Sequence, residues 1–344
     1  VCTGGSLALY AVRAPELKAG GLFAPISREG SLLLNNLLMS TAAGTVLLGT
    51  LFPLFADLFD WGKISVGPPF FNAVFVPLMV PMVMAMGVGP LLSWKRGDLG
   101  AALWRLKFAF IVAVGVMAAT WLLTGGSATD LGAAGGLGLA AWLACSTLVE
   151  WAERIRLFRG PLSESLRRAV KLPRSSYGMT LAHLGLAILI TGVTGAAAWK
   201  VESVQTQKPG ETVRVAGYDF TLMDVRSHQG ANFIAQTGIF AVYRNSQSIG
   251  MLEAEKRQYT QPPRPTTEAA IQTLWHGDLY AVIGDADGKG GYVTRLYYNP
   301  LIPWLWGGSL IMVLGGLVSL TDRRHRVGAP TRRTVPSGAT LAAV

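Results

Sequence analysis

Long apolar runs separated by short polar connections occupy most of this chain of 344 residues. A membrane-spanning helix needs roughly 20 consecutive apolar residues, because it rises about 1.5 Å per residue across a hydrocarbon core about 30 Å thick. Six runs reach or approach that length, which predicts an α-helical polytopic membrane protein with about six complete spanning helices. The runs cover residues 31–55, 70–94, 108–124, 131–149, 177–199 and 301–320.

A seventh apolar run, residues 1–12, is shorter and ends at Arg13. Twelve helical residues rise only about 18 Å, so this run predicts a truncated span and a chain that lacks an amino-terminal part. A secretory signal peptide is the competing interpretation. It is disfavoured because no basic region precedes the run and no small-residue cleavage site follows it.

Between residues 200 and 299 the pattern changes to short runs of alternating apolar and polar residues. Alternation with a period of two is typical of half-buried strands. Turn signals such as Lys208-Pro209-Gly210 interrupt it, so the segment predicts one compact all-β domain inserted before the last span. We expect the proline-rich residues 261–265 to form a rigid loop. The expected strands include residues 211–216, 220–225, 233–243, 248–253 and 292–298.

Composition supports the membrane assignment and narrows the chemistry. The chain is 51% hydrophobic and 15% charged, with a mean hydropathy of +0.38, which excludes a single water-soluble globule, a disordered chain, a collagen and a coiled coil. Only Cys2 and Cys145 are present, so a disulfide framework, a CxxC pair and a cysteine zinc site are excluded. Redox chemistry in this chain therefore requires a bound cofactor.

The distribution of lysine and arginine predicts the orientation in the membrane. Three lie before residue 31, four in 95–107, seven in 154–174 and five after 322, whereas ten in the β domain are balanced by ten acidic residues. By the positive-inside rule the basic loops and the carboxyl tail are cytoplasmic, and the β domain is extracytoplasmic. The neutral β domain offers no basic patch for nucleic acid, and no Walker loop or Rossmann fingerprint is present.

His183 is the only histidine in a predicted span. An ionisable residue within a membrane is a functional candidate, because it needs a partner there. It is either an axial ligand of a haem iron, with the small Ala187 one turn away leaving room for a macrocycle, or a histidine hydrogen-bonded within the bundle. The residues leave both interpretations open. No other span supplies the second imidazole of a bis-histidine haem site, and we expect Thr180 as an acceptor for the ring.

The other histidines are weaker candidates for a functional role than His183. His228 and His276 lie in the β domain and receive no assigned role, and His325 belongs to the solvated basic tail. No spacing of histidine, cysteine and carboxylate residues resembles a metal site. A separate seam of small residues on the His183 helix predicts close packing against a neighbouring helix. The seam comprises Gly178, Ala182, Gly185 and Gly192.

Two irregular segments add detail. Ser27-Arg28-Glu29 precedes Asn35 and Asn36 in the first turns of a span, which predicts helix capping and interhelical hydrogen bonds. The apolar, proline-rich residues 63–72 are either a surface that meets the membrane or a partner, or a simple tight loop.

Several of these motifs occur together, in this order, in one known family. The chain resembles the CcmF family, the membrane haem lyases of cytochrome c maturation system I, and in particular the carboxyl-terminal half of its members. The resemblance covers nearly the whole chain. It is carried by Ser27-Arg28-Glu29, Asn35-Asn36, Ile64-Ser65-Val66-Gly67-Pro68-Pro69-Phe70-Phe71-Asn72, Ala182-His183-Leu184-Gly185, Thr267-Glu268-Ala269-Ala270-Ile271 and Arg295-Leu296-Tyr297-Tyr298.

The resemblance implies a haem b held between two transmembrane histidines, of which the second matches His183. It also implies an inner-membrane location with the β domain in the periplasm, and a quinol that reduces haem b before haem is joined to apocytochrome c. The implied partners are the amino-terminal half of the same protein, the haem chaperone CcmE, CcmH/CcmI-type subunits and apocytochrome c. The family's tryptophan-rich periplasmic haem-handling motif, its two flanking histidines and the first haem b ligand have no counterpart here.

The expected organisation is a helix bundle over 1–199, a β domain over 200–299, a final span over 300–322 and a cytoplasmic tail over 323–344. One alternative function is a non-catalytic assembly subunit that docks other maturation proteins. A secondary transporter is disfavoured, because the sequence has no internal repeat and no evident carboxylate partner for His183.

Overall fold

A computed structural model describes residues 2–16, 22–62 and 64–322. The predicted tail over 323–344, with His325, lies outside the described residues, as does Lys63. Two compact units divide at residue 110, and each is described by itself. The described helices are α1 (Cys2–Arg13), α2 (Arg28–Leu58), α3 (Pro68–Val88), α4 (Leu99–Arg105), α5 (Lys107–Leu123), α6 (Leu131–Arg154), α7 (Leu162–Lys171), α8 (Arg174–Ala198) and α9 (Ile302–Leu320).

The helices agree with the predicted polytopic membrane protein. Among the described residues, five helices are long and apolar enough to cross a membrane: α2, α3 with its short extension to Leu91, α6, α8 and α9. The helices α4 and α5 meet at an angle of 61° and make a sixth span if they are one bent unit. Each of the six apolar runs in the sequence therefore corresponds to a helix, and α1 is the predicted short one.

In the first unit, the Ser27-Arg28-Glu29 motif caps α2 and ties it to the segment after α3. Ser27 Oγ accepts from the Gly30 amide at 3.0 Å, as expected for an N-cap. The Arg28 amide donates to the Ser93 carbonyl at 3.0 Å, and Glu29 Oε2 accepts from the Lys95 amide at 2.7 Å. The predicted capping is confirmed, and the motif also joins two helix ends.

The second unit carries a β-sandwich inserted between α8 and α9. Its strands are β1 (Val201–Gln207), β2 (Thr212–Val215), β3 (Tyr218–Gln229), β4 (Phe233–Arg244), β5 (Gln247–Thr260), β6 (Pro263–Glu268), β7 (Ala270–Leu274), β8 (Gly277–Ala286) and β9 (Tyr292–Pro300). A four-stranded antiparallel sheet has the order β1-β9-β8-β7, and a five-stranded one has the order β2-β3-β4-β5-β6.

The inner faces of the two sheets form the hydrophobic core of the sandwich. Alternate residues of β3, β4, β8 and β9 supply its largest buried side chains, including Phe220, Phe240, Leu279 and Leu296, all fully buried. This alternation is the period-two pattern of the sequence. The predicted fold class, a helical membrane protein with an inserted all-β domain, is confirmed.

The predicted rigid loop over 261–265 is wrong for its second half. Gln261 and Pro262 form a turn, but Pro263 begins β6, and Pro265 lies opposite Gln258 of β5. The strand β6 is at the edge of its sheet, where proline is tolerated because a nitrogen that faces away from the sheet is not needed for a hydrogen bond between strands. Proline is therefore compatible with a strand at this position.

Candidate functional site

The candidate site centres on α8, which packs closely against α9 through glycines. An added Cβ at Gly178, Gly185 or Gly192 would lie 2.5–2.7 Å from backbone atoms of α9. Gly308 and Gly315 of α9 are equally close to the backbone of α8, at 2.5 and 2.6 Å. These contacts confirm the predicted small-residue seam and fix α8 antiparallel to α9.

A different stripe of α8 faces α6. Ser176 accepts a hydrogen bond from Arg154 Nη1 of α6 at 2.7 Å, and an added Cβ at Gly136 of α6 would lie 2.3 Å from Thr194 Oγ1. His183 follows Ser176 by seven residues and precedes Thr194 by eleven, so at about 100° per residue all three share one helix face. His183 therefore lies on the stripe of α8 that faces α6.

The His183 ring is partly buried and makes no hydrogen bond to any residue that the structure describes. Ala187, one turn further along the same stripe, is 4% exposed and has little bulk. The Thr180 hydroxyl, expected as an acceptor for the ring, donates to the Ser176 carbonyl at 3.0 Å. An imidazole held on a rigid helix, with nitrogens not engaged by described residues, is suited to bind an exogenous group.

A charged pair with a buried carboxylate lies on the part of α6 that faces α8. Glu150 is 4% exposed, its Oε1 accepts from Arg154 Nε, and its Oε2 has no hydrogen-bond partner among the described residues. The two contacts between α6 and α8 set an antiparallel register that places Glu150 about one helical turn from the level of His183. An unpaired buried carboxylate oxygen is costly, so this region has the capacity to accept a hydrogen bond.

Sequence reasoning missed Glu150 and Arg154 as part of the site. In the sequence, the fourth apolar run ends at residue 149, and Arg154 belongs to the basic loop that follows it. The signal was the i, i+4 spacing of Glu150 and Arg154, which lets a carboxylate and a guanidinium pair along a helix at the end of a span.

His276 occupies the base of the β-sandwich, where the sandwich joins α9. Its Nδ1 lies 3.0 Å from Tyr298 Oη, which donates to the His276 carbonyl at 3.2 Å, and its Nε2 lies 3.4 Å from Tyr218 Oη. Burial raises the pKa of the Tyr298 phenol, so the hydroxyl keeps its proton and can donate a hydrogen bond. The same carbonyl accepts from the Leu301 amide at 3.0 Å. His276 therefore joins the β domain to the start of α9.

His228 lies on β3, on the outer polar face of the five-stranded sheet. Its side chain is 47% exposed, its Nδ1 lies 3.3 Å from Thr237 Oγ1, and its Nε2 lies 3.9 Å from Glu255 Oε1. No cluster of three metal-ligating side chains occurs in the part of the chain that the structure describes. His228 and His276 thus lie on strands and turns of the sandwich, whereas His183 lies on a spanning helix.

Asp278 is a half-buried carboxyl group near the same junction. It pairs with Thr273 of β7 and Asn299 of β9 in the four-stranded sheet, and its Oδ1 is buried with no hydrogen bond among described residues. Burial raises the pKa of Asp278, and a hydrogen bond with Thr273 opposes this with a smaller effect.

We expect Asp278→Asn to stabilise the β domain at neutral pH. When the pKa of a carboxyl group is higher in the folded than in the unfolded protein, the free energy of unfolding falls as pH rises, because the group ionises at a lower pH in the unfolded chain. The gain should be absent in acid, where Asp278 is protonated in both states, and should grow toward neutrality. Hydrogen exchange of the β8 amides, compared with wild type at each pH, measures this. Equal protection of the two proteins at neutral pH contradicts it.

Comparison with known proteins gives related sequences along nearly the whole chain. Residues 198–300 match the family model described as CcmF C-terminal beta-sandwich. The cytochrome c-type biogenesis protein CycK of Rhizobium meliloti is 43% identical over 96% of this chain and 49% of its own length. The cytochrome c-type biogenesis protein CcmF of Escherichia coli is 37% identical over 97% of this chain and 50% of its own length.

One solved structure also matches. The structure titled cytochrome c heme lyase CcmF superposes with a TM-score of 0.67 at 26% identity, over 87% of this chain and 46% of that one. This chain spans about half the length of the curated relatives it matches.

Proposed function

The chain belongs to the CcmF family of cytochrome c-type biogenesis proteins, and from that premise we propose that it forms part of a haem lyase that holds a transmembrane haem b through His183. In this role it assists the covalent attachment of haem to apocytochrome c. The observation that carries the proposal is the position of His183, which lies on a packed spanning helix with neither ring nitrogen bonded to a described residue.

His183 could supply one axial ligand of a haem. Neutral imidazole is a common axial ligand of haem iron, and neither ring nitrogen of His183 is bonded to a residue that the structure describes. A bis-histidine site needs a second imidazole, and the sequence supplies no other histidine in a spanning helix. The second ligand is therefore proposed to come from the amino-terminal half of the same protein.

Haem b, when bound, supplies one-electron chemistry. The task of this chain is to present His183 in a fixed orientation, because the geometry of the axial ligand influences the properties of the iron. The contacts of α8 with both α9 and α6 restrain the backbone that carries the imidazole. Glu150, buried on α6 about one helical turn from the level of His183, adds a carboxylate to the same interface of α6 and α8.

The proposal extends to location and partners. The excess of lysine and arginine in the segments 95–107 and 154–174 supports an inner-membrane protein whose β domain lies in the periplasm. The partners in this proposal are the haem chaperone CcmE, CcmH/CcmI-type subunits and apocytochrome c, all of which would meet the sandwich in the periplasm. Quinol is the proposed source of electrons for haem b.

The test is a reduced-minus-oxidised optical spectrum of the chain purified from membranes, alone and co-expressed with the amino-terminal half of a CcmF relative. We expect a haem b spectrum only when both halves are present, because each supplies one axial ligand. A complex of the two halves without haem contradicts the proposal and supports the alternative, a non-catalytic assembly subunit that docks other maturation proteins.

A further inference from the structure

The helix α7, which connects α6 to α8, presents an uncovered apolar stripe. Leu162, Leu166 and Val170 follow one another at four-residue spacing and are 64%, 58% and 87% exposed. Phe158, in the turn before the helix, is 90% exposed. Side chains four residues apart share a helix face, so the three α7 residues form one continuous apolar surface.

The flank of α7 that carries Ser165 and Ala169 is held by the rest of the unit. Ser165 is buried, and its hydroxyl donates to the Arg156 carbonyl at 3.3 Å. Tyr177 of α8 donates from its hydroxyl to the Ala169 carbonyl at 2.8 Å. These contacts orient the helix so that the Leu162, Leu166 and Val170 stripe points away from the described part of the unit.

Positive charge borders the stripe. Arg167 and Lys171 are exposed, and at about 100° per residue Arg167 lies about 60° around the helix from Val170 and Lys171 about 40° further, so both lie on the flank beyond Val170. The one acidic residue of α7, Glu164, is paired with Arg168 at 2.6 Å. The side of the stripe toward Arg167 and Lys171 therefore carries uncompensated positive charge.

The connections of α7 keep it beside the membrane. The helix α6 ends at Arg154 and α8 begins at Arg174, and both are long and apolar enough to span. Only seven residues lead into α7 from α6, and two lead out of it into α8. A helix tethered this closely to two spans is within reach of the lipid headgroups.

We propose that α7 binds the surface of an anionic bilayer, with Leu162, Leu166 and Val170 in the outer acyl layer and Arg167 and Lys171 on phospholipid phosphates. An amphipathic helix with a basic polar face binds in this way by combining apolar burial with attraction to anionic headgroups. Two features favour lipid over a protein partner. The charge beside the stripe is positive only, and short connections hold α7 close to the spanning helices α6 and α8. The proposal does not depend on haem binding.

The test uses the full chain, with Cys2 and Cys145 changed to serine, in nanodiscs of phosphatidylcholine and phosphatidylglycerol. One environment-sensitive fluorophore is attached at Leu166→Cys, and the matched control carries it at Glu164→Cys, on the opposite face. We expect lipid with brominated acyl chains to quench the fluorophore at position 166 about threefold more than at position 164. Aqueous iodide should show the reverse order.

Three outcomes overturn the proposal. Equal quenching by iodide at the two positions would show that the stripe is exposed to water. Protection of position 166 from both quenchers shows that protein covers it. Bromolipid quenching at position 166 that is the same with and without phosphatidylglycerol overturns the anionic part of the proposal. Leu166 is exposed, and Glu164→Cys removes only the partly exposed ion pair with Arg168, so we expect both variants to keep the packing of the fold.

Discussion

Replacing His183 with alanine is expected to abolish the haem b absorbance of the complex formed with the amino-terminal half. Haem in a bis-histidine site depends on both imidazoles, and alanine leaves one axial position without a protein ligand. The expected loss is nearly complete. It is measured as the reduced-minus-oxidised difference spectrum and as haem extracted per polypeptide.

Two further variants separate ligation from damage to the fold. His228→Ala removes an exposed imidazole of the β domain and should keep full haem occupancy. His183→Gly leaves a space that added imidazole should fill, which restores the spectrum if His183 is a ligand. Full haem occupancy in His183→Ala, with unchanged elution on size exclusion, contradicts the assignment.

Gly308→Ala is expected to separate α9 from α8 and lower the stability of the bundle by about 1–3 kcal/mol. The added Cβ would lie 2.5 Å from the Leu189 amide nitrogen and 2.6 Å from the Gly185 carbonyl oxygen. Both are backbone atoms of α8, so no side-chain rotation relieves the clash. Because α8 carries His183, haem retention should fall together with the thermal unfolding temperature.

The neighbouring glycine of α9 provides a matched control. A Cβ added at Gly307 meets nothing within 4 Å. Gly307→Ala should therefore be neutral or slightly stabilising, because alanine favours a helix by about 1 kcal/mol over glycine. The same loss of stability in both variants would show that the seam does not depend on close backbone contact.

The spans and most strands were predictable because they follow from local patterns. Apolar runs of about 20 residues have few alternatives to a spanning helix, and the period-two alternation in β3 and β4 reflects a sandwich core. Proline at 263 and 265 gave the wrong expectation because its effect depends on strand position. The sequence does not reveal that β6 is an edge strand; this follows from the order of strands in the sheet.

The candidate site was predictable in part. A lone histidine in a span and a glycine seam are visible in one helix, so His183 and the face toward α9 were found from the sequence. The approach of α6 was not, because the register between two helices is decided by packing of both surfaces. Only the hydrogen bond between Arg154 of α6 and Ser176 of α8 brings the buried Glu150 to the side of α6 that faces α8.

The sequence pattern did not predict α7 as an amphipathic helix, because its charged residues indicated a loop. Seven basic residues in 154–174 indicated a cytoplasmic loop, and the three apolar residues of its stripe are too few to resemble a span. Their four-residue spacing becomes informative only when the segment is known to be helical. Its polar contacts with Arg156 and Tyr177 then show which side remains open.

The pairing of β1 with β9 fixes the position of the β-sandwich relative to the helix pair α8 and α9. These strands continue directly from α8 and into α9, and they pair along seven residues, from Val201 opposite Tyr298 to Gln207 opposite Tyr292. At about 3.4 Å per residue this ladder is about 24 Å long. Sliding one strand past the other would turn buried residues outward, so the ladder resists shear. The sandwich therefore acts as a stiff spacer that holds its outer end at a constant distance from the helix pair.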